Sequence, residues 1–223
     1  VDSVQLPLRF AVEQNYFPDD FLKSESNALA LAAIEAWPNW PSYGLVIFGA
    51  AKVGKTHLAH IFEYKSKAVF LMKEKLESLE QFDPLIREGA AYILEDVCPW
   101  LQTYEHSLFH LCNLIKERGA SLLITAELSP SLWQVSLADL KSRLSLFPAV
   151  RVDQPDDELL EAILIKKVSE MQIDLDLAVR RYILTHTERS ASFLVEFLER
   201  LDARSLAFQR KITIPLVREV LGK

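Results

Sequence analysis

The chain is poor in the features that mark several simple functional classes. It has two cysteines, Cys98 and Cys112, among 223 residues. Two thiols outside any CxxC pair make no disulfide framework, and they read as reduced core thiols. Glycine is scarce, at six, and no segment is repetitive or of low complexity. No apolar run approaches the roughly 20 residues needed to span a bilayer, so no membrane association is expected. The opening VDSVQLPLRF lacks a basic start followed by an apolar core, so it is not a secretory signal and a cytoplasmic location is expected. Positive charge is also short. Lys and Arg number 25 against 31 Asp and Glu, a formal net charge of −6, and neither half of the chain is basic. A protein built to grip phosphate backbones usually shows the opposite balance, so direct sequence-specific DNA binding is not expected. Apolar mass is plentiful, with 50% hydrophobic and 25% charged residues. That supports a sizeable core and excludes a wholly disordered chain.

The pattern along the chain divides in two. A lead-in contains Gln5-Leu6-Pro7-Leu8 and Tyr16-Phe17-Pro18-Asp19-Asp20-Phe21. A helix is expected from near Ser24, capped by Ser24, Ser26 or Asn27, with good helix formers from Ala28 to Ala36. Short apolar runs at 45–48, 68–71, 91–94, 122–124 and 149–152 then read as strands, alternating with helices over 56–64 and 105–118. Continuous apolar strands alternating with helices predict a parallel sheet covered on both faces. After Pro155 the strands stop. Helices are expected over 156–171, 176–185, 190–210 and 213–221, the third with Phe193, Leu194, Phe197, Leu198, Leu201 and Phe208 on one face. The expected organisation is an N-terminal segment, 1–23, an α/β domain, 24–154, and a small all-helical domain, 155–223.

Chemistry concentrates at the strand ends. Gly49-Ala50-Ala51-Lys52-Val53-Gly54-Lys55-Thr56 matches GxxxxGK[ST] at every fixed position, between an expected strand and an expected helix. Glycines let the backbone curl so that its N–H groups face a polyphosphate, and the helix N-terminus adds partial positive charge. Lys55 can reach the β- and γ-phosphates, and the Thr56 hydroxyl can ligate Mg²⁺. Tyr92-Ile93-Leu94-Glu95-Asp96 places two carboxylates at the end of another strand, on the same sheet edge as that loop. One can hold the Mg²⁺ shell while the other orients a water. Thr125 ends the next strand and could reach the γ-phosphate or the attacking water.

This order of phosphate loop, acidic strand end, polar strand end, Leu140-Lys141-Ser142-Arg143-Leu144 and helical lid resembles the AAA+ ATPases. More narrowly it resembles the family of the replication initiator DnaA and its shorter relative Hda. The resemblance implies an AAA+ P-loop α/β domain followed by a helical lid, with ADP or ATP and Mg²⁺ as ligands. It makes Phe21, Leu22 and Asn27 part of the stretch that contacts the nucleoside. It makes Arg143 an arginine finger acting on a neighbour's nucleotide, and Arg189 the lid arginine that meets the bound nucleotide. Gln5, Leu6 and Leu8 resemble the motif with which Hda docks on the DNA polymerase III sliding clamp, its β subunit. Such a motif seats a glutamine in a polar pocket and leucines in an apolar groove. The chain ends just after the lid, where DnaA continues into a helix-turn-helix domain, and this places it nearer Hda. DnaA and the clamp are thus the implied partners, and self-association is compatible with a finger that acts across subunits. One departure stands out. The first acid of the strand end is Glu95, where the family usually has Asp, and its extra methylene implies weak intrinsic hydrolysis.

Other residues read more plainly. His106 and His110 are four apart on a helix but lack a third metal ligand at fitting spacing. His57 and His60 read as helix packing, and Trp37, Trp40, Trp100 and Trp133 as core or interface. Arg180, Arg181, Arg200 and Arg204 read as a solvated face, a subset of which could meet a partner. Two rival functions fit the same motifs: a self-sufficient ATPase such as a helicase-loading factor, or a scaffold stabilised by its nucleotide.

Overall fold

A computed structural model of the chain describes residues 16–77 and 83–222. These residues fall into two compact units, meeting in sequence between Asp153 and Gln154. The expected clamp-motif residues Gln5, Leu6 and Leu8 lie outside the described residues.

The first unit is built on five strands: β1 Gly44–Phe48, β2 Val69–Phe70, β3 Ala91–Leu94, β4 Ser121–Ala126 and β5 Ala149–Arg151. They form one sheet in the order β2-β3-β4-β1-β5, with every pair parallel. Four helices belong to this unit: α1 Ala28–Glu35, α2 Lys55–Ser66, α3 Glu105–Glu117 and α4 Ala138–Leu144. Side chains alternate across the strands, as the pleat requires. Val46, Tyr92, Leu94, Leu122 and Ile124 face the core made with α3 and α4. Leu45, Ile47, Ala91, Ile93 and Leu123 face the core made with α1 and α2. Both faces are dry, which is why the strands read as unbroken apolar runs. The tryptophans are packed by their indole N–H groups as well as their rings. Trp37 donates to Ser121 Oγ at 3.1 Å and Trp40 to the Ala33 carbonyl at 2.7 Å, its ring stacked on Phe62.

Several boundaries differ from the sequence expectation. The first helix starts at Ala28, not near Ser24, because the candidate caps are used differently. Asn27 Oδ1 accepts from the Ser24 N–H at 3.0 Å, and Asn27 Nδ2 donates to the Leu22 carbonyl at 2.9 Å. Asn27 therefore ties the preceding loop together and makes no side-chain cap bond to the helix. The second strand is only two residues long, at the sheet edge where one neighbour is available. The fourth strand continues to Ala126, so Thr125 lies inside it, opposite Ile47. Residues 16–23 pack within this unit: the Tyr16 ring stacks on His60 at 4.6 Å, and Phe21 meets His57 edge-on at 5.0 Å.

The second unit is all-helical: α5 Asp157–Glu170, α6 Leu177–His186, α7 Ala191–Phe208 and α8 Ile214–Leu221. Two of these helices start on side-chain caps. Asp156 accepts from the Leu159 N–H at 2.7 Å and Ser190 from the Phe193 N–H at 3.2 Å, each worth about 1 kcal/mol. Pro215 sits in the first turn of α8, where its missing N–H has no cost. Leu164, Ile183, Leu194, Phe197, Leu198, Leu201 and Val217 close the core; Phe208, expected on the same face of α7, is instead exposed at the helix end, its ring under Arg204 and Arg210. Among the described residues no helix is long and apolar enough to cross a membrane.

Candidate nucleotide site

The loop from Gly49 to Gly54 joins β1 to α2, and its geometry explains both glycines. The Gly49 N–H donates to the Ala126 carbonyl at 3.1 Å, fastening the loop to β4. A Cβ on Gly49 would lie 2.3 Å from the Val152 carbonyl oxygen. Gly54 has a φ of +101°, and no atom outside its neighbours lies within 4 Å of where its Cβ would be. The loop thus needs left-handed backbone at its end and leaves open space above it, a cradle of the kind a phosphate fills. Helix α2 begins at once with Lys55, and its first turn holds no acid to oppose an anion.

Lys55 Nζ folds back onto the loop, donating to the carbonyls of Gly49 at 2.8 Å and Ala50 at 2.7 Å. Burial pushes its pKa below the ordinary lysine value. Asp96, Glu127, Cys98 and Glu95 pull in the other direction, in that order of strength. The ammonium is thus held by the loop's own carbonyls, and acids after two neighbouring strands favour its charged form.

Those acids stand on β3 and β4. Asp96 has a φ of +45°, a left-handed conformation that Asp tolerates better than most residues. Its N–H donates to Thr125 Oγ1 at 3.0 Å, and the next N–H, of Val97, donates to the Thr125 carbonyl at 3.1 Å. Thr125 is 2% exposed. It therefore acts from within its strand as the support of the Asp96 turn. Glu95 lines a cavity of about 200 Å³ with Phe70 to Glu74 and Trp100, toward β2 at the sheet edge. Of the two carboxylates, Asp96 has the stronger hold on Lys55.

A Mg²⁺ ion would fit this donor set only together with a phosphate. Thr56 is exposed at the start of α2 and Asp96 is exposed after β3. Among the described residues no three His, Cys, Asp or Glu side chains gather as a metal site, His106 and His110 included. Nucleotide-borne Mg²⁺ characteristically takes one or two protein ligands, with phosphate and water completing its shell.

Two neighbours of Lys55 were not marked by sequence. Glu127 lies two residues past Thr125, just after β4, where a lone acid carries no motif. Cys98 is half-exposed beside the site, whereas Cys112 is fully buried; only the latter is the core thiol expected. Cys112 lies in an apolar interior that pushes its thiol up to about 12.

The other expected residues take definite places. Phe21 and Leu22 precede the Asn27-tied turn, Phe21 against His57 of α2. Arg143 belongs to α4, a helix of seven residues that was not among the expected helices. Its guanidinium lies over the Phe109 ring, 5.1 Å from the centroid. Arg189 lies in the helical unit and pairs with Asp157 at 2.8 Å.

Residues 156–221 match the family model of the Hda lid domain. Across 94% of this chain and 97% of the other, the fold is similar to domain III of the Thermotoga maritima initiation protein DnaA, with a TM-score of 0.79 at 17% identity. The C-terminal segment is thus similar to the Hda lid, and the fold of nearly the whole chain is similar to that of DnaA domain III. AMPPCP-bound DnaA from Aquifex aeolicus is similar over 91% of this chain and 70% of that one, at TM-score 0.72 and 18% identity. The Thermotoga maritima RuvB Holliday junction branch migration motor is similar over 93% and 72%, at TM-score 0.71 and 17% identity. The expected architecture is thus present: a parallel five-stranded sheet flanked by helices, followed by a helical segment that matches the Hda lid model.

Proposed function

We propose that this chain is a nucleotide-binding regulator of replication initiation that switches DnaA off by stimulating its ATP hydrolysis. The observation that carries this reading is a Hda-type lid in the same chain as a complete phosphate loop. Lys55 and the loop N–H groups hold the polyphosphate of ADP or ATP. The loop's left-handed end and the α2 N-terminus supply preorganised positive potential. Thr56 and Asp96, with Glu95 behind, supply the protein's share of a Mg²⁺ shell, and the ion neutralises phosphate charge when bound. Phe21, Leu22 and Asn27 border the nucleoside, and Arg189 reads the nucleotide from the lid. The AMPPCP bound by the similar DnaA proteins supports adenine nucleotide as the ligand class.

In this reading Gln5, Leu6 and Leu8 dock on the sliding clamp, and Arg143 reaches the ATP of DnaA. An arginine supplied across an interface stabilises charge on the transferring phosphoryl group and is worth about 10³–10⁵ in rate in related NTPases. Hydrolysis by the chain itself is proposed to be weak, because the first acid is a glutamate on the β2 side of the site. The test is ATP hydrolysis by purified DnaA, with and without this protein and a DNA-loaded clamp. Stimulation that needs both additions and is lost with Arg143→Ala supports the proposal. Turnover by this protein alone favours a free-standing ATPase, and inertness in both assays favours a scaffold.

A further inference from the structure

Glu105, the first residue of α3, is the only charged side chain buried among the described residues, at 8% exposure. Its carboxylate grips the chain that leads into α4. One oxygen accepts from the Ser136 N–H at 2.8 Å and the other from the Leu137 N–H at 2.7 Å. Leu137 is the residue immediately before α4. Two charge-assisted bonds to adjacent amides fix both the position and the direction of that backbone. One turn along α3, the Phe109 ring carries the Arg143 guanidinium. One turn further is fully buried Cys112, whose environment includes Arg143. Residues 105, 109 and 112 are four and three apart, so they share one helix face. That face sets the start of α4 at one end and the seat of Arg143 at the other. Leu140 and Leu144 bury the inner side of α4, so rotation of this short helix about its axis moves Arg143 directly.

We propose that Glu105 is a positioning residue for Arg143: by holding the Ser136 and Leu137 amides it fixes the setting of α4 from which the arginine reaches a partner's nucleotide. This rests on the proposed role of Arg143. Glutamine in place of Glu105 keeps the shape but offers one acceptor oxygen, and turns an N–H toward the second amide. The arginine segment is then held by one bond instead of two.

The experiment compares Glu105→Gln and Arg143→Ala with wild type in the DnaA hydrolysis assay with a DNA-loaded clamp. Mg-ADP affinity and phenylglyoxal labelling of Arg143 by mass spectrometry accompany it. Glu105→Gln is expected to keep its Mg-ADP affinity and its half-saturating concentration toward DnaA. Its saturating stimulated rate should fall by about tenfold or more, since misplacing a catalytic group by about 1 Å can remove about 10² in rate. Its Arg143 labelling rate should change. A merely structural role for Glu105 predicts altered melting with an unchanged saturating rate and unchanged labelling, and that result overturns the inference. Should Glu105→Gln not fold, Glu105→Asp takes its place, keeping the charge but too short to hold both amides. If Arg143→Ala stimulates like wild type, the parent reading fails. Unchanged labelling in Glu105→Gln, with Arg143→Ala inactive, makes the positioning claim fail alone.

Discussion

Replacing Gly49 by alanine puts a carbon 2.3 Å from the Val152 carbonyl oxygen, 3.3 Å from the Val152 carbonyl carbon and 3.2 Å from Val53 Cγ2. Ordinary contact begins near 3.4 Å, so the loop and the chain after β5 must separate by about 1 Å in a packed interior. Neither side is free to do so. The Val152 N–H is bonded to the Phe48 carbonyl at 2.8 Å and the Gly49 N–H to Ala126 at 3.1 Å. Overpacking of this kind costs about 1–3 kcal/mol. In a chain of this size each kcal/mol lowers Tm by about 2–4 °C, so a fall of about 2–12 °C is expected. Gly54→Ala is the matched control. Its Cβ meets nothing, and its cost is the left-handed backbone alone, roughly 1–2 kcal/mol. Thermal unfolding of the two variants, with and without Mg-ADP, separates crowding from backbone strain. Gly49→Ala should lose stability already without ligand, whereas Gly54→Ala should show the larger loss of ligand-induced stabilisation, because its methyl enters the open space over the loop. Gly49→Ala melting at the wild-type temperature would refute the close approach from which the loop geometry is argued.

Thr125→Val should destabilise the protein by about 1–3 kcal/mol, because the Asp96 N–H loses its acceptor; urea unfolding measures it, and an unchanged midpoint contradicts the support role. Burial holds the Lys55 pKa below its ordinary 10.5, so between the lowered value and 10.5 the native lysine has lost a proton that the unfolded chain keeps. Stability relative to Lys55→Met should therefore rise with pH across that window, and a flat difference is the opposing result. Bound phosphate favours the charged lysine, so Mg-ADP binding should take up protons at alkaline pH, read from the buffer dependence of the calorimetric heat. Cys98 should react with DTNB in the native protein at pH 8 while buried Cys112, held neutral by a pKa near 12, reacts only in guanidinium; equal rates would contradict the burial difference.

The parallel sheet was legible because its strands are dry on both faces, and the phosphate loop because its chemistry requires glycines at fixed spacing. Three features were hidden for physical reasons. Asn27 has the composition of a cap, yet its amide bonds backward to Leu22 and Ser24, a choice made by the loop and invisible in propensity. Glu127 joins the site only because β4 lies beside β1 in the sheet, a neighbour relation that chain order conceals. Glu105 is, by sequence alone, an acid at a helix start, where the dipole favours it. Its burial arises from the return of residues 136 and 137 to its side, a contact between segments far apart in sequence. Fold class therefore follows from local pattern, whereas the partners of the site residues are set by tertiary topology.

The central claim is that the strand-end loop is a nucleotide site, and calorimetric titration of the chain with Mg-ADP tests it most directly. Saturable binding at one site, abolished in a folded Lys55→Ala variant, is the predicted result. Absence of binding in the wild type, or undiminished binding in Lys55→Ala, would contradict it.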